Sequence, residues 1–196
     1  SSLDDRSSKN FVTIVSGLPR SGTSMMMRML EAGGISPVVD GERKANADNP
    51  MGYYEFEPVK ALKEDSSWVA DSTGQAVKVI YKLVYDLPNN VPYRIVFMQR
   101  DIEEVLSSQE KMMRRDGLDP DTIGRDLLYN LFQTDVMDFR RWAEVQGNIQ
   151  IMYADYRRMV DEPEEMSRHI AEFLGQDLDI PAMASVVDPD LYRNRA

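Results

Sequence analysis

The 196-residue sequence contains no cysteine and a single histidine. The first absence excludes disulfides, thiolate nucleophiles and cysteine-held metals. The second leaves histidine chemistry one position, His169, which sits in a late helical segment beside Ile170, Phe173 and Leu174 and reads as structural or solvated. No apolar run approaches the roughly 20 residues needed to cross a bilayer, and the N-terminus carries no signal-peptide pattern, so the expected location is the cytoplasm. Basic residues are also scarce: 23 Lys and Arg stand against 33 Asp and Glu, a formal net charge of −10. That balance argues against nucleic acid or an anionic membrane as the main partner. Repeats, low-complexity tracts and a second domain are likewise missing.

What is present suits one globular domain with a sizeable core, since 42% of the residues are hydrophobic. Residues 1–10, "SSLDDRSSKN", are polar and read as a disordered N-terminal tail, with residues 11–196 as a single domain. Phe11 to Ser16 is a short β-branched run ending at glycine, the mark of a buried strand. A helix is expected to start near Ser21 to Thr23 and to stop at Gly33-Gly34. Further strands are expected over Ala76 to Leu83, Tyr93 to Gln99 and Asn148 to Tyr153. Asp101 to Glu104 has the form of a capping box, with Glu104 reaching back to the Asp101 amide, and opens a helix to about Arg115. A polar turn, "DGLDPDT", leads to a long helix from about Thr122 to Val145, whose apolar stripe is Leu127, Leu128, Leu131, Phe132, Val136, Phe139 and Trp142. The last clear helix spans Glu164 to Leu174. Strands alternating with helices predict a three-layer α/β fold, P-loop NTP hydrolase-like, with a mostly parallel central sheet flanked by helices. Ile35 to Val69 interrupts the alternation and reads as a long functional insertion.

Gly17 to Ser24, "GLPRSGTS", has the two glycines of a phosphate cradle but Thr23 where a Walker A motif has lysine. The glycines let successive N–H groups converge on an anion at the start of a helix. Arg20, inside the loop, offers a planar fork suited to a tetrahedral oxyanion. Arg100, at the carboxyl end of a predicted strand, and Ser108, two helical turns later, can face that same end of the sheet.

A strand, the loop "PRSGTS", then a second strand ending in Arg with Ser eight residues on, resembles the sulfotransferases that use 3′-phosphoadenosine 5′-phosphosulfate. The loop matches the Pro-Arg-Ser-Gly-Thr form of tyrosylprotein and many bacterial members. "AVKVIYKLVYDLP" looks like the family's lysine-bearing strand, and "IMYADYRRMVDEPEEMSRHIAEFLG" like its closing unit, so the likeness spans most of Phe11 to Gly175. By that resemblance Arg20, Ser21, Gly22, Thr23 and Ser24 grip the 5′-phosphosulfate, Arg100 and Ser108 grip the 3′-phosphate, and Lys78 stabilises the bridging oxygen of the leaving group. The product is 3′,5′-ADP. The partners implied are this nucleotide donor and a hydroxyl-bearing acceptor.

Sulfuryl transfer is an in-line displacement dominated by positioning and charge stabilisation, so no metal site is expected. The acceptor hydroxyl must lose a proton, and with histidine out of place the base is expected to be a carboxylate, as in the tyrosylprotein and heparan branches. Glu55, after two tyrosines in "NPMGYYEF", is preferred over Glu42 in "VVDGER", whose spacing from Arg20 is close to that of the base in the tyrosylprotein branch. Lys82 shares the setting of Lys78 without its motif. Arg193 and Arg195, or Arg114 and Arg115, are further cations for the 3′-phosphate. Tyr53, Tyr54 and Trp68 suit either acceptor stacking or the insertion's own core. Two alternatives stand beside the transferase: a P-loop kinase or NTPase with Asp101 as its metal-site acid, and a catalytically silent nucleotide-binding module.

Overall fold

The β-branched run at the start of the domain forms β1 (Val12–Gly17), buried at every position. In the computed structural model, which describes residues 10–40 and 53–188, the chain continues through α1 (Thr23–Gly33), α2 (Ser67–Asp71), β2 (Ala76–Lys78), α3 (Tyr81–Val84) and β3 (Tyr93–Gln99). It then forms α4 (Ile102–Arg115), α5 (Arg125–Glu144), β4 (Ile149–Asp155), α6 (Tyr156–Asp161), α7 (Pro163–Leu174) and α8 (Ile180–Ser185). All strand pairings are parallel and the order is β2-β1-β3-β4. The fold is therefore α/β with a parallel central sheet.

Period-two alternation splits the core across the sheet. Phe11, Val15, Val96 and Met98 face a cluster with α1, α7 and α8, while Val12, Ile14, Ile95 and Phe97 face one with α3, α4 and α5. Met25, Met26, Met27 and Met29 of α1 are all buried. Each such side chain contributes about 1.5–3 kcal/mol of burial, which accounts for a methionine-rich helix without any ligand. Gly34, left-handed at φ 115°, ends α1 where the double glycine predicts.

Three expectations change. The strand foreseen over Ala76 to Leu83 stops at Lys78, and the apolar run continues as α3, because Tyr81 and Val84 bury at helical spacing. The long helix starts at Arg125, not near Thr122, since Pro120–Thr122 forms a 3-10 turn capped by Asp119. Its stripe is also narrower than read: Phe132 and Phe139 are buried, but Leu127 is 66% and Leu131 46% exposed. Arg125 holds α5 against α4 through ion pairs to Glu103 (2.7 Å) and Glu110 (2.5 Å).

The order β2-β1-β3-β4 places the site. The chain leaves β1 in one direction to reach β2 and returns across it to β3, so a crevice opens at the carboxyl ends of β1 and β3, where ligands of such sheets bind. Gly17 pairs with Met98 in register, which puts the loop after β1 beside Arg100.

Candidate functional site

Gly17 has φ 147°, and a Cβ there would lie 2.6 Å from Ser21 Oγ and 2.8 Å from the Met98 carbonyl oxygen. Gly22 has φ 97°, and its Cβ would lie 2.7 Å from Cδ2 of Tyr156. Arg20 between them is left-handed at φ 62°. Both glycines are thus demanded by close neighbours as well as by backbone hand. The Ser21 hydroxyl donates to the Leu18 carbonyl at 2.6 Å, which braces the turn from inside. The first intrahelical bond runs from Met26 N to Gly22 O, and α1 opens with neither a side-chain cap nor an acidic residue in its first turn. Its first N–H groups and the positive end of its dipole therefore face the crevice, as anion binding needs.

Two hydrogen bonds join the two sequence motifs. Arg20 Nε donates to Ser108 Oγ at 3.0 Å, and Arg100 Nη1 donates to the Arg20 carbonyl at 2.9 Å. Arg100 also lies over the Tyr156 ring, 4.2 Å from its centroid. Lys78, at the end of β2, donates to Ser24 Oγ at 3.0 Å and to the Tyr53 carbonyl, and Ser24 Oγ also bonds that carbonyl at 3.3 Å. Arg20, Ser21, Gly22, Thr23, Ser24, Lys78, Arg100 and Ser108 accordingly share one edge of the sheet.

Glu55 follows Tyr53 by two residues, so Lys78 ties its segment to the head of α1. Glu42 lies outside the described residues, as do Arg193 and Arg195. The described ends of that segment meet: Asp40 N donates to the Glu55 carbonyl at 3.4 Å, and Glu57 N to Asp40 Oδ2 at 2.5 Å. Residues 36–38 bond Ala76 along the sheet edge, so the insertion is anchored beside β2. Tyr54 turns from the crevice: burial, then the Glu31 carboxylate, push its phenol above the ordinary range, with Arg28 opposing. Trp68 packs edge-on against Phe56, centroids 5.0 Å apart. Tyr54 and Trp68 therefore serve the core. Arg114 and Arg115 close α4 at the end remote from Arg100, about 20 Å along the axis by helical rise.

The capping box forms by half. Asp101 accepts from Glu104 N at 3.1 Å, but the Glu104 carboxylate bonds Arg100 Nε (3.3 Å) and Arg157 Nη2 instead of the Asp101 amide. Two arginines outcompete one amide because charge-assisted bonds are the stronger. Asp101, spent as the cap of α4, loses its appeal as a metal-site acid. A cavity of about 240 Å³ opens beside these groups, lined by Gln99, Arg100, Asp101, Glu104, Asp155, Tyr156 and Arg157. Tyr156 and Arg157 escape sequence reasoning; the available signal was an arginine just past a strand end, the same cue that marked Arg100.

The chain matches no protein-family model and no curated protein. Among solved structures it is similar to a sulfotransferase from Mycobacterium avium, at 15% identity and a TM-score of 0.55 over 96% of this chain and 69% of that one. A mouse sulfotransferase complexed with PAP gives 15% and 0.54 over 97% and 71%. The sulfotransferase domain of the Synechococcus PCC 7002 olefin synthase gives 14% and 0.51 over 95% and 84%. The fold of the chain is the fold of these sulfotransferases.

Proposed function

We propose that this chain is a sulfotransferase that moves a sulfuryl group from 3′-phosphoadenosine 5′-phosphosulfate to an acceptor hydroxyl and releases 3′,5′-ADP, with a carboxylate base and no metal. Residues 11–196 act as one domain, in the cytoplasm. The observation that carries this reading is the pair of hydrogen bonds from Arg20 to Ser108 and from Arg100 to the Arg20 carbonyl. They bring Arg20 and Arg100, 80 residues apart, into one crevice, an arrangement that suits a donor with phosphate groups on both its 5′ and 3′ carbons. A neighbour of the same fold was crystallised with PAP.

The bound donor supplies the activated sulfuryl group and a leaving phosphate. The uncapped start of α1 and the Arg20 fork hold the 5′ side, where negative charge must be stabilised in place of a magnesium ion. Lys78, fixed by Ser24 Oγ and the Tyr53 carbonyl, stands at that helix start and offers its ammonium to the bridging oxygen. Arg100 and Ser108 hold the 3′-phosphate. Glu55 takes the acceptor proton, its segment held to Lys78 through Tyr53; Glu42 is the second candidate.

Thermal shift tests the donor. Stabilisation by 3′,5′-ADP, without comparable stabilisation by ADP or by ATP with Mg²⁺, is expected, and a preference for Mg-ATP overturns the reading in favour of a kinase or NTPase. Sulfuryl transfer by the wild type, lost in Glu55→Gln and kept in Glu42→Gln, assigns the base; the reverse pattern assigns Glu42. Donor binding without any transfer would make the chain a silent module.

A further inference from the structure

Arg157 leaves the end of β4 much as Arg100 leaves the end of β3. Gln99 and Asp155 are register partners, so the two arginines follow the ends of adjacent strands, Arg157 in the first turn of α6. Glu104 lies between them, with Oε2 accepting from Arg100 Nε at 3.3 Å and Oε1 from Arg157 Nη2. The Arg100 side chain is 11% exposed and further fixed by the Arg20 carbonyl and the Tyr156 ring, whereas that of Arg157 is 42% exposed. Arg157 donates Nη2 to Glu104, lines the cavity and is partly open to solvent.

The charges on the cavity wall can be counted. Asp101 and Asp155 cap α4 and α6, accepting from Glu104 N (3.1 Å) and Arg158 N (2.9 Å), so both carboxylates are turned to helix starts. Arg100 and Arg157 set against Asp101, Glu104 and Asp155 leave the lining at a formal charge of −1, with the two aspartates engaged as helix caps and the two guanidiniums held on either side of Glu104. Without Glu104 the two cations would repel; with it they are held side by side. Such a pair matches a phosphate monoester, which carries nearly two negative charges at neutral pH and accepts several N–H bonds.

We propose that Arg157 is the second cationic arm of the donor site and, with Arg100, grips the phosphate on the 3′ carbon of the donor ribose, while Glu104 is the positioning residue that presents both guanidiniums to it. This deepens the donor reading above and rests on it.

Isothermal titration of the wild type, Arg157→Ala, Arg157→Lys and Glu104→Ala with 3′,5′-ADP and with 5′-AMP, which lacks only the 3′-phosphate, tests the proposal. Arg157→Ala is expected to lose about tenfold in affinity for 3′,5′-ADP while keeping its affinity for 5′-AMP, and Arg157→Lys to recover part of the loss. Glu104→Ala is expected to lower the same preference, because both guanidiniums swing free. An unchanged preference in Arg157→Ala, or an equal loss for both nucleotides, overturns the role of Arg157. An unchanged preference in Glu104→Ala removes Glu104 as the positioning residue. A wild type that does not prefer 3′,5′-ADP overturns the donor reading itself, so the two failures are told apart.

Discussion

Between Gly17 and Ser24 the crevice is made of backbone, whereas between β3 and β4 it is made of side chains. In the first region the donors are N–H groups set by φ angles of 147°, 62° and 97°, and neighbours leave no room for a Cβ at either glycine. In the second, Arg100 and Arg157 are aimed by one carboxylate and one aromatic ring. A backbone cradle either exists or does not, while a side-chain clamp can lose one arm and keep the other. Substitutions in the first region should therefore abolish function outright, and those in the second should grade it.

Gly17→Val applies the severest test of that contrast. Backbone strain and overpacking against Met98 should destabilise the fold by about 2–4 kcal/mol and remove nucleotide binding, read by chemical denaturation and titration with 3′,5′-ADP. A variant that still binds would show the cradle to be more plastic than its contacts imply. Lys78→Ala comes next: loss of the preorganised donor proposed for the leaving oxygen should lower the single-turnover rate by about 10²–10³, with 3′,5′-ADP affinity nearly unchanged. Equal losses in rate and affinity would make Lys78 a structural strut for Tyr53. In the graded region, Arg100→Ala should cost about 2 kcal/mol of the preference for 3′,5′-ADP over 5′-AMP, and Ser108→Ala about 1 kcal/mol, both read by titration. If Ser108→Ala proves the worse, the second region is not a graded clamp.

The smallest effect lies away from the crevice. Tyr81, buried and bonded through its hydroxyl to Asp135, has its phenol pushed above the ordinary value of 10.0 by burial first and by Asp135 second. A raised folded-state pKa means that the folded chain holds its proton the more tightly. The resulting stability is fully present below pH 10 and is lost as pH rises beyond it. Melting temperature measured from pH 8 to 11 should fall less steeply in Tyr81→Phe than in the wild type, with donor binding untouched.

The legibility of these regions in the sequence differed for the same physical reasons. β3 was readable to the residue because an apolar run is bounded by Pro92 and by the Asp101 cap. The cradle was readable because its glycines act through local geometry. β2 was overextended because Val79 to Val84 buries side chains at spacings that a strand or a short helix can both supply. Leu127 and Leu131 read as core because helical periodicity tells which residues share a face, not how wide a strip the sheet will cover. Glu104 carried a capping-box signature, yet its partner Arg157 lies 53 residues away and meets it only because β3 and β4 are neighbours. Such a contact has no local pattern to read.

The hydrogen bonds that close Asp40 onto Glu55 and Glu57 have a consequence for how the chain can diversify. They bring Asp40 and the stretch from Glu55 to Glu57 together at the sheet edge, while Lys78 and Ser24 hold the Tyr53 carbonyl. A chain held at Asp40 on one side and at Tyr53 on the other can vary between those two residues while the bonds from Lys78 and Ser24 to the Tyr53 carbonyl are kept. On the proposed function, acceptor choice could then change between Asp40 and Tyr53 while Arg20, Lys78 and Arg100 keep their places.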